Sequence, residues 1–410
     1  MKAWIAALGL AASGLLVSCE DSAPLPPPEP EDPPMHPAWR RARVLISDAE
    51  TPMLHVYDVE FEAMVDPVTL PEVAAELVMA DGGEYLVARG ASSVTPVYVG
   101  VSILDHSEGS SDSEIPHIHV YKYPPTVVPV ELASGVNPVV GALGHELAVA
   151  STDEAATTVV RFEDRALVDP ETFVPSSAVY PDMAPASLIP VPGGVVIAEA
   201  GAVSARLGDL AGPSVPCPSA FGALAATGER AVFGCSDGVV VVSTEGASPT
   251  LLHLASERPV AVALHVDRDD LVVADGTTRL ARLDGGGALP AFEASAGVCD
   301  LLFEPGHGDV LLALAADGAL YTLDSATGDE LAVAQVGEPF ACDDAVRPRL
   351  AAIPARAYVL LPEQRELVEL WVDAALRELT RTSLPGAPRT LRTAGFDLET
   401  RNLGDLSDVE

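Results

Sequence analysis

Arg230 to Gly246 reads RAVFGCSDGVVVVSTEG. Two short apolar runs flank Ser236-Asp237-Gly238. The runs are too short for a helix and rich in β-branched residues, so each reads as a strand. Asp-Gly is a tight hairpin signal, because glycine accepts positive φ without steric cost. The phrase therefore predicts two antiparallel strands joined by a tight polar turn.

Outward from it, the same phrase recurs in both directions. Upstream, Arg43 opens RVLISDAETPMLHVYDVE, Glu84 opens EYLVARG, Glu146 opens ELAVASTDEAATTVVRFED and Gly194 opens GVVIAEAGAVSARLGD. Downstream, Asp270 opens DLVVADGTTRLARLDGGG, Asp309 opens DVLLALAADGALYTLDSATGD and Ala357 opens AYVLLPEQRELVELWVD. The Glu84 run lacks an immediate companion, and its partner is expected at His117, in HIHVYKY. Spacing is about 45 residues, the blade period of a propeller. No segment shows a long, capped helical period. The expectation is an all-β chain forming a single β-propeller of eight blades, or seven if one phrase is an insertion. A double β-sandwich or two small barrels is the alternative, but no linker interrupts the spacing midway. Arg389 to Leu398, RTLRTAGFDL, is expected to supply a strand that seals the first blade and removes its open edge.

The N-terminus carries different signals. Met1-Lys2 is followed by an uncharged, small or apolar stretch to Val17, then Ser18-Cys19. Charge, greasy core and small-residue cleavage site describe a signal peptide, and the Leu16-Val17-Ser18-Cys19 ending looks like a bacterial lipobox. Residues 1–18 are expected to be the lipoprotein signal and Cys19 the lipidated (palmitate-type) anchor. Residues 19–39 form an acidic, proline-rich linker with too little apolar surface to fold. The propeller is expected over 40–398, and 399–410 as an acidic C-terminal tail. The expected location is the cell envelope, on its periplasmic or surface side, with the membrane contacted through the lipid.

A net charge of −37 disfavours nucleic acid as a partner. It indicates solubility and attraction for cations rather than a fold; a monomer is expected. Beyond Cys19, four cysteines remain: Cys217, Cys235, Cys299 and Cys342. An even number in an oxidising compartment suggests disulfides, with three connectivities open and four free buried thiols as the alternative. Cys217–Cys235 is the local pair and Cys299–Cys342 the remainder. The first would close a loop of about 18 residues, worth roughly 3 kcal/mol in the chain-entropy picture.

Chemistry concentrates in ILDHSEGSSDSEIPHIHVY, Ile103 to Tyr121. Three of the nine histidines fall here, His106, His117 and His119, with Asp105, Glu108, Asp112 and Glu114. His117 and His119 are two apart on an expected strand, which points both imidazoles to one face. Imidazole beside carboxylate is a normal ligand set for zinc. His106, His117, His119, Asp105, Asp112 and Glu114 are the candidate metal ligands; a solvated polar loop is the other reading. His55, His253 and His265 read as ordinary strand residues, His145 and His307 as turn residues, and His36 lies in the linker. No Gly-x-Ser-x-Gly, phosphate-cradling glycine loop or His-Glu-x-x-His is present, so no enzyme activity is expected.

RVLISDAETPMLHVYDVE, the Asp105-His106 loop, CPSAFGALAATGERAVFGCSDGVVVV and Arg347-Pro348-Arg349, in that order, resemble the AztD-type periplasmic zinc metallochaperones. The resemblance spans most of residues 42–396. It implies a propeller that binds zinc and passes it to the solute-binding protein of a zinc importer, and a disulfide between Cys217 and Cys235. The chain departs from the family where histidines are usual. Phe221 follows the Cys-Pro, Ala186-Ser187 follow Ala184-Pro185, and Asn137-Pro138-Val139-Val140 precedes the third blade. The implied function is a membrane-anchored, zinc-chaperone-like propeller. The alternative is a non-catalytic protein-interaction propeller that has lost metal binding.

Overall fold

Strands Arg230–Cys235 and Gly238–Ser243 pair from Arg230↔Ser243 to Cys235↔Gly238, turning at Ser236-Asp237 as the quoted phrase predicts. Gly222–Thr227 joins on one side and Thr250–Ala255 on the other, completing a four-stranded antiparallel sheet. The computed structural model describes residues 41–395 except 106–117, 133–135, 154–155, 182, 200, 209, 221, 247, 266–270, 285–286, 289–290, 307–308 and 373–374. Cys19, the linker and the C-terminal tail lie outside the described residues.

The four-stranded pattern repeats eight times, as the eight phrases predict; one sheet splits its outer strand into two short pieces, Gly287–Ala288 and Phe292–Glu293. The innermost strands of blades 2 to 8 are Glu76–Met79, Val136–Leu143, Ser187–Val191, Gly222–Thr227, Ala261–Leu264, Val298–Phe303 and Arg349–Ile353. Blade 1 takes its inner strand from the far end of the chain. Pro388–Ala394 pairs with Arg43–Asp48, with Arg43 opposite Ala394 and Ser47 opposite Thr390. This is the expected sealing strand, ending among described residues at Ala394.

Eight apolar clusters hold the ring, each bridging neighbouring blades. The last to close joins blade 8 to blade 1 through Ile46, Tyr57, Tyr358, Trp371 and Leu391. Inside it, buried Glu369 accepts hydrogen bonds from the Tyr57 hydroxyl (2.7 Å) and the Tyr358 hydroxyl (3.2 Å). The closing strand is clamped by Asp48. Its Oδ2 accepts from the Ala387 N–H at 3.0 Å and lies 3.3 Å from His55 Nε2. Its Oδ1 accepts from the N–H groups of Glu50 and Thr51 at 2.7 and 2.8 Å. Gly386 adopts φ +70°, and a Cβ there would lie 1.8 Å from Asp48 Oδ2. Only glycine allows that approach.

Blade 2 departs from the sequence reading. Tyr85–Arg89 pairs with Val94–Tyr98, and the expected companion at His117 is not in this sheet. Val94–Tyr98 reads VTPVY, and Pro96 interrupts its strand signature because proline donates no ladder bond. The connecting turn carries Ser92-Ser93 rather than Asp-Gly. Glu72 organises it instead, accepting from Ser92 N–H at 2.9 Å and Ser93 Oγ at 2.7 Å. Ile118–Lys122 pairs with Val101–Asp105 in a separate two-stranded sheet, inserted between the third strand of blade 2 and its outer strand, Thr126–Val127.

Strand direction alternates within each blade, so the connections alternate between two faces. Turns between second and third strands, and the loops crossing to the next blade, share one face, here the crossover face. The inserted hairpin emerges from the opposite, hairpin face.

Candidate functional site

The inserted hairpin is firmly rooted. Lys122 Nζ reaches Asp58 Oδ1 at 2.6 Å and Glu60 Oε2 at 2.9 Å, across to blade 1. Arg43 Nη1 donates to the carbonyls of Val99 (2.6 Å) and Tyr123 (2.9 Å), on either side of the hairpin. Asp58 is buried, so Arg43 and Lys122 hold its charge inside the blade 1–blade 2 junction. At the far end, Asp105 is opposite Ile118 and His119 opposite Leu104. The backbone thus brings the ends carrying Asp105 and His119 together, with residues 106–117 joining them. His106, Asp112, Glu114 and His117 lie outside the described residues, as do the side chains of Asp105 and His119.

A second group forms on the crossover face. Cys235, Asp237 and His253 bring one potential ligand atom each within 4.8 Å of one another. His253 was read from sequence as an ordinary strand residue. It is placed there by the pairing Val240↔His253, and its Nε2 lies 3.2 Å from Asp237 Oδ1. No short-range spacing announces this pair. However, Cys235 is bonded to Cys217, and a disulfide sulfur lacks the thiolate charge that makes cysteine a metal ligand. In the oxidised protein this corner offers two donors.

Both disulfides match the expected pairs, Cys217–Cys235 and Cys299–Cys342. All four sulfurs are on the crossover face. Cys217 ends the outer strand of blade 4 and Cys235 the second strand of blade 5, so the bond staples two blades where both residues are fully buried. Cys299 begins the inner strand of blade 7 and joins the loop leading to blade 8. Two such bonds fit an oxidising, extracytoplasmic setting.

The channel is the third place for chemistry. A cavity of about 1080 Å³ is lined by the inner strands of the blades. Asn137 to Val140 and Pro185 to Ser187 are on its wall. These are two of the places where the zinc-chaperone resemblance leads one to look for histidine. The described lining contains no histidine and no cysteine. The remaining described histidines serve structure: His265 packs edge-on against Phe303 at 5.0 Å, and His145 Nδ1 lies 3.6 Å from buried Asp164. Burial raises the Asp164 carboxyl above its ordinary value, opposed by His145.

No protein-family model matches the chain, and no curated protein does. Solved structures do. Apo AztD from Citrobacter koseri superposes with a TM-score of 0.71 at 16% identity, covering 86% of this chain and 97% of that one. A second Citrobacter koseri AztD structure gives 0.73 at 17% identity with the same coverage. The dihydro-heme d1 dehydrogenase NirN, in complex with DHE, gives 0.59 at 10% identity, covering 91% of this chain and 78% of that one. At these identities the likeness is one of fold, and the fold hosts more than one function.

Proposed function

We propose that this propeller is a zinc-handling station held at the envelope membrane through Cys19. The observation that carries the reading is the rooted hairpin, an addition to the blade plan whose connecting segment holds His106, Asp112, Glu114 and His117, with Asp105 and His119 at its ends. Zinc is the cargo. Neutral imidazoles and carboxylates would capture it, releasing protons from any protonated ligand. The surrounding negative charge, −37 over the chain, would raise the local cation concentration. The recipient would be an envelope solute-binding protein of a metal importer. A proline-rich tether beyond the acyl anchor would hold the ring clear of the lipid headgroups, on the periplasmic or surface side. The fold shared with AztD and the two disulfides support this reading.

The test is zinc titration of the full chain at neutral pH. The His106→Ala/His117→Ala/His119→Ala variant should lose at least tenfold in affinity. Unchanged affinity rules the hairpin out.

The channel wall favours a second reading, a non-catalytic interaction propeller that no longer binds metal, since its described lining lacks histidine and cysteine. Stoichiometric zinc in the protein as isolated would count against it. A stable envelope partner from metal-free extracts, with no zinc bound, would support it.

A further inference from the structure

The chain has only 23 lysines and arginines against 60 acids. Five of those arginines nevertheless line the channel: Arg89, Arg347, Arg349, Arg389 and Arg392. Four converge toward its crossover-face end, on the approach and inner strand of blade 8 and on the closing strand of blade 1. These strands are neighbours, joined where Thr393 Oγ1 donates to the Ala352 carbonyl at 2.9 Å.

An arginine in so acidic a protein should find a carboxylate, and Arg89 does, with Nε 2.7 Å from Glu76 Oε2. The other four have none within 4.0 Å among the described residues. Arg347 donates to the Cys299 carbonyl, and Arg392 donates to the carbonyl of Leu391 at 3.2 Å. The side chains of Arg349 and Arg389 make no polar contact among the described residues. The acids that act on them are otherwise engaged: Glu76 pairs with Arg89, and Asp300 accepts from the N–H groups of Leu301 and Leu350, both at 3.1 Å. Arg392 is exposed to the water of the channel, and its enclosure by the ring still lowers its pKa, opposed by Glu76 and Asp300 and reinforced by the charge of Arg349. Arg347 is lowered by burial too, opposed by Asp300 and again reinforced by Arg349. The folded ring therefore holds these cations in mutual repulsion, with partial compensation.

We propose that the crossover-face end of the channel is an oxyanion site, in which Arg349, Arg389 and Arg392, backed by Arg347, bind the head of a small organic anion. Guanidinium forks suit planar carboxylates and phosphoryl oxygens, to which they donate paired hydrogen bonds. The cavity is larger than a bare anion needs, and Val78, Leu302 and Phe303 give it apolar wall. The ligand class is a carboxylate- or phosphate-headed molecule with an apolar body. This site is independent of the zinc reading: it shares no residue with the hairpin.

The experiment uses the full chain in phosphate-free buffer, titrated calorimetrically with inorganic phosphate and, separately, with succinate, at ionic strength matched with sodium chloride. Saturable binding of at least one probe at one per chain is expected, with a thermal midpoint that rises on saturation. Phosphate alone would assign a phosphoryl head, succinate alone a carboxylate. Arg349→Gln and Arg392→Gln should each weaken binding at least tenfold. Absence of saturable binding by either probe overturns the proposal, as does unchanged affinity in both variants. Should those variants not fold, Arg389→Gln, altering an exposed side chain, replaces them, and unchanged affinity there overturns it equally.

Discussion

The two faces of the ring are built differently. The crossover face holds both disulfides, the Asp48 clamp on the closing strand and the arginine end of the channel. The hairpin face carries the inserted strand pair and its histidine- and acid-bearing connection, fixed at the root by Lys122 and Arg43. Covalent bonds and buried hydrogen bonds secure the first face. The second has an attachment whose root adds buried Val101 and Val120 to the apolar cluster between blades 1 and 2.

Mutations should expose the difference, and the largest effects belong to the crossover face. Replacing Cys299 and Cys342 together by serine should cost about 4 kcal/mol for a loop of 43 residues. The Cys217/Cys235 pair, closing 18 residues, should cost about 3 kcal/mol. Denaturant unfolding reads both, and equal costs would argue against loop closure as the source of stability.

Next comes the clamp. Asp48→Asn should cost about 1–3 kcal/mol, because three part-buried N–H groups lose a charged acceptor. Burial pushes the Asp48 carboxyl up, but the N–H groups of Glu50, Thr51 and Ala387, with His55, outweigh it and hold it below its ordinary 3.8. A carboxyl depressed in the folded state contributes stability that is present above pH 3.8 and lost as pH falls through its folded value. The acid limb of the stability curve should therefore be shallower in Asp48→Asn. An identical limb would remove Asp48 from the closure.

The smallest stability change should come from the hairpin face. Exchanging residues 106–117 for a short Gly/Ser turn should alter unfolding free energy by less than about 0.5 kcal/mol, because the hairpin root at Val101, Val120 and Lys122 is kept. Zinc affinity should fall by tenfold or more in the same variant. A large stability loss would mean that the segment packs on the ring and would blur the division between faces.

What could be read in advance follows the same physics. Every phrase except the second marks the second and third strands of a blade. Those strands are buried on both sides, as in Arg356–Leu361, so their apolar runs are dense. Outer strands such as Glu330–Gln335 alternate between exposed and half-buried positions and look like loops. Inner strands such as Gly222–Thr227, GALAAT, place small residues, here Ala225 and Ala226, on the channel wall, a weak signal in one dimension. In blade 2, Pro96 breaks the third strand's pattern while Ile118–Lys122 imitates it. The His253–Asp237 pair arises only from cross-strand register. The arginine cluster joins residues 347–349 to 389–392, from two different blades, and only ring closure places them side by side.

Ring closure also sets a timetable. Until Pro388–Ala394 is available, Arg43–Asp48 presents an unpaired strand edge and the apolar face shared by blades 8 and 1 stays incomplete. The pairing joins Arg43–Asp48 to Pro388–Ala394, a long-range contact that slows folding. A chain truncated in its last blade would keep that edge as a template for pairing with a second molecule. Pairing with Pro388–Ala394 is therefore what removes that edge from the folded ring.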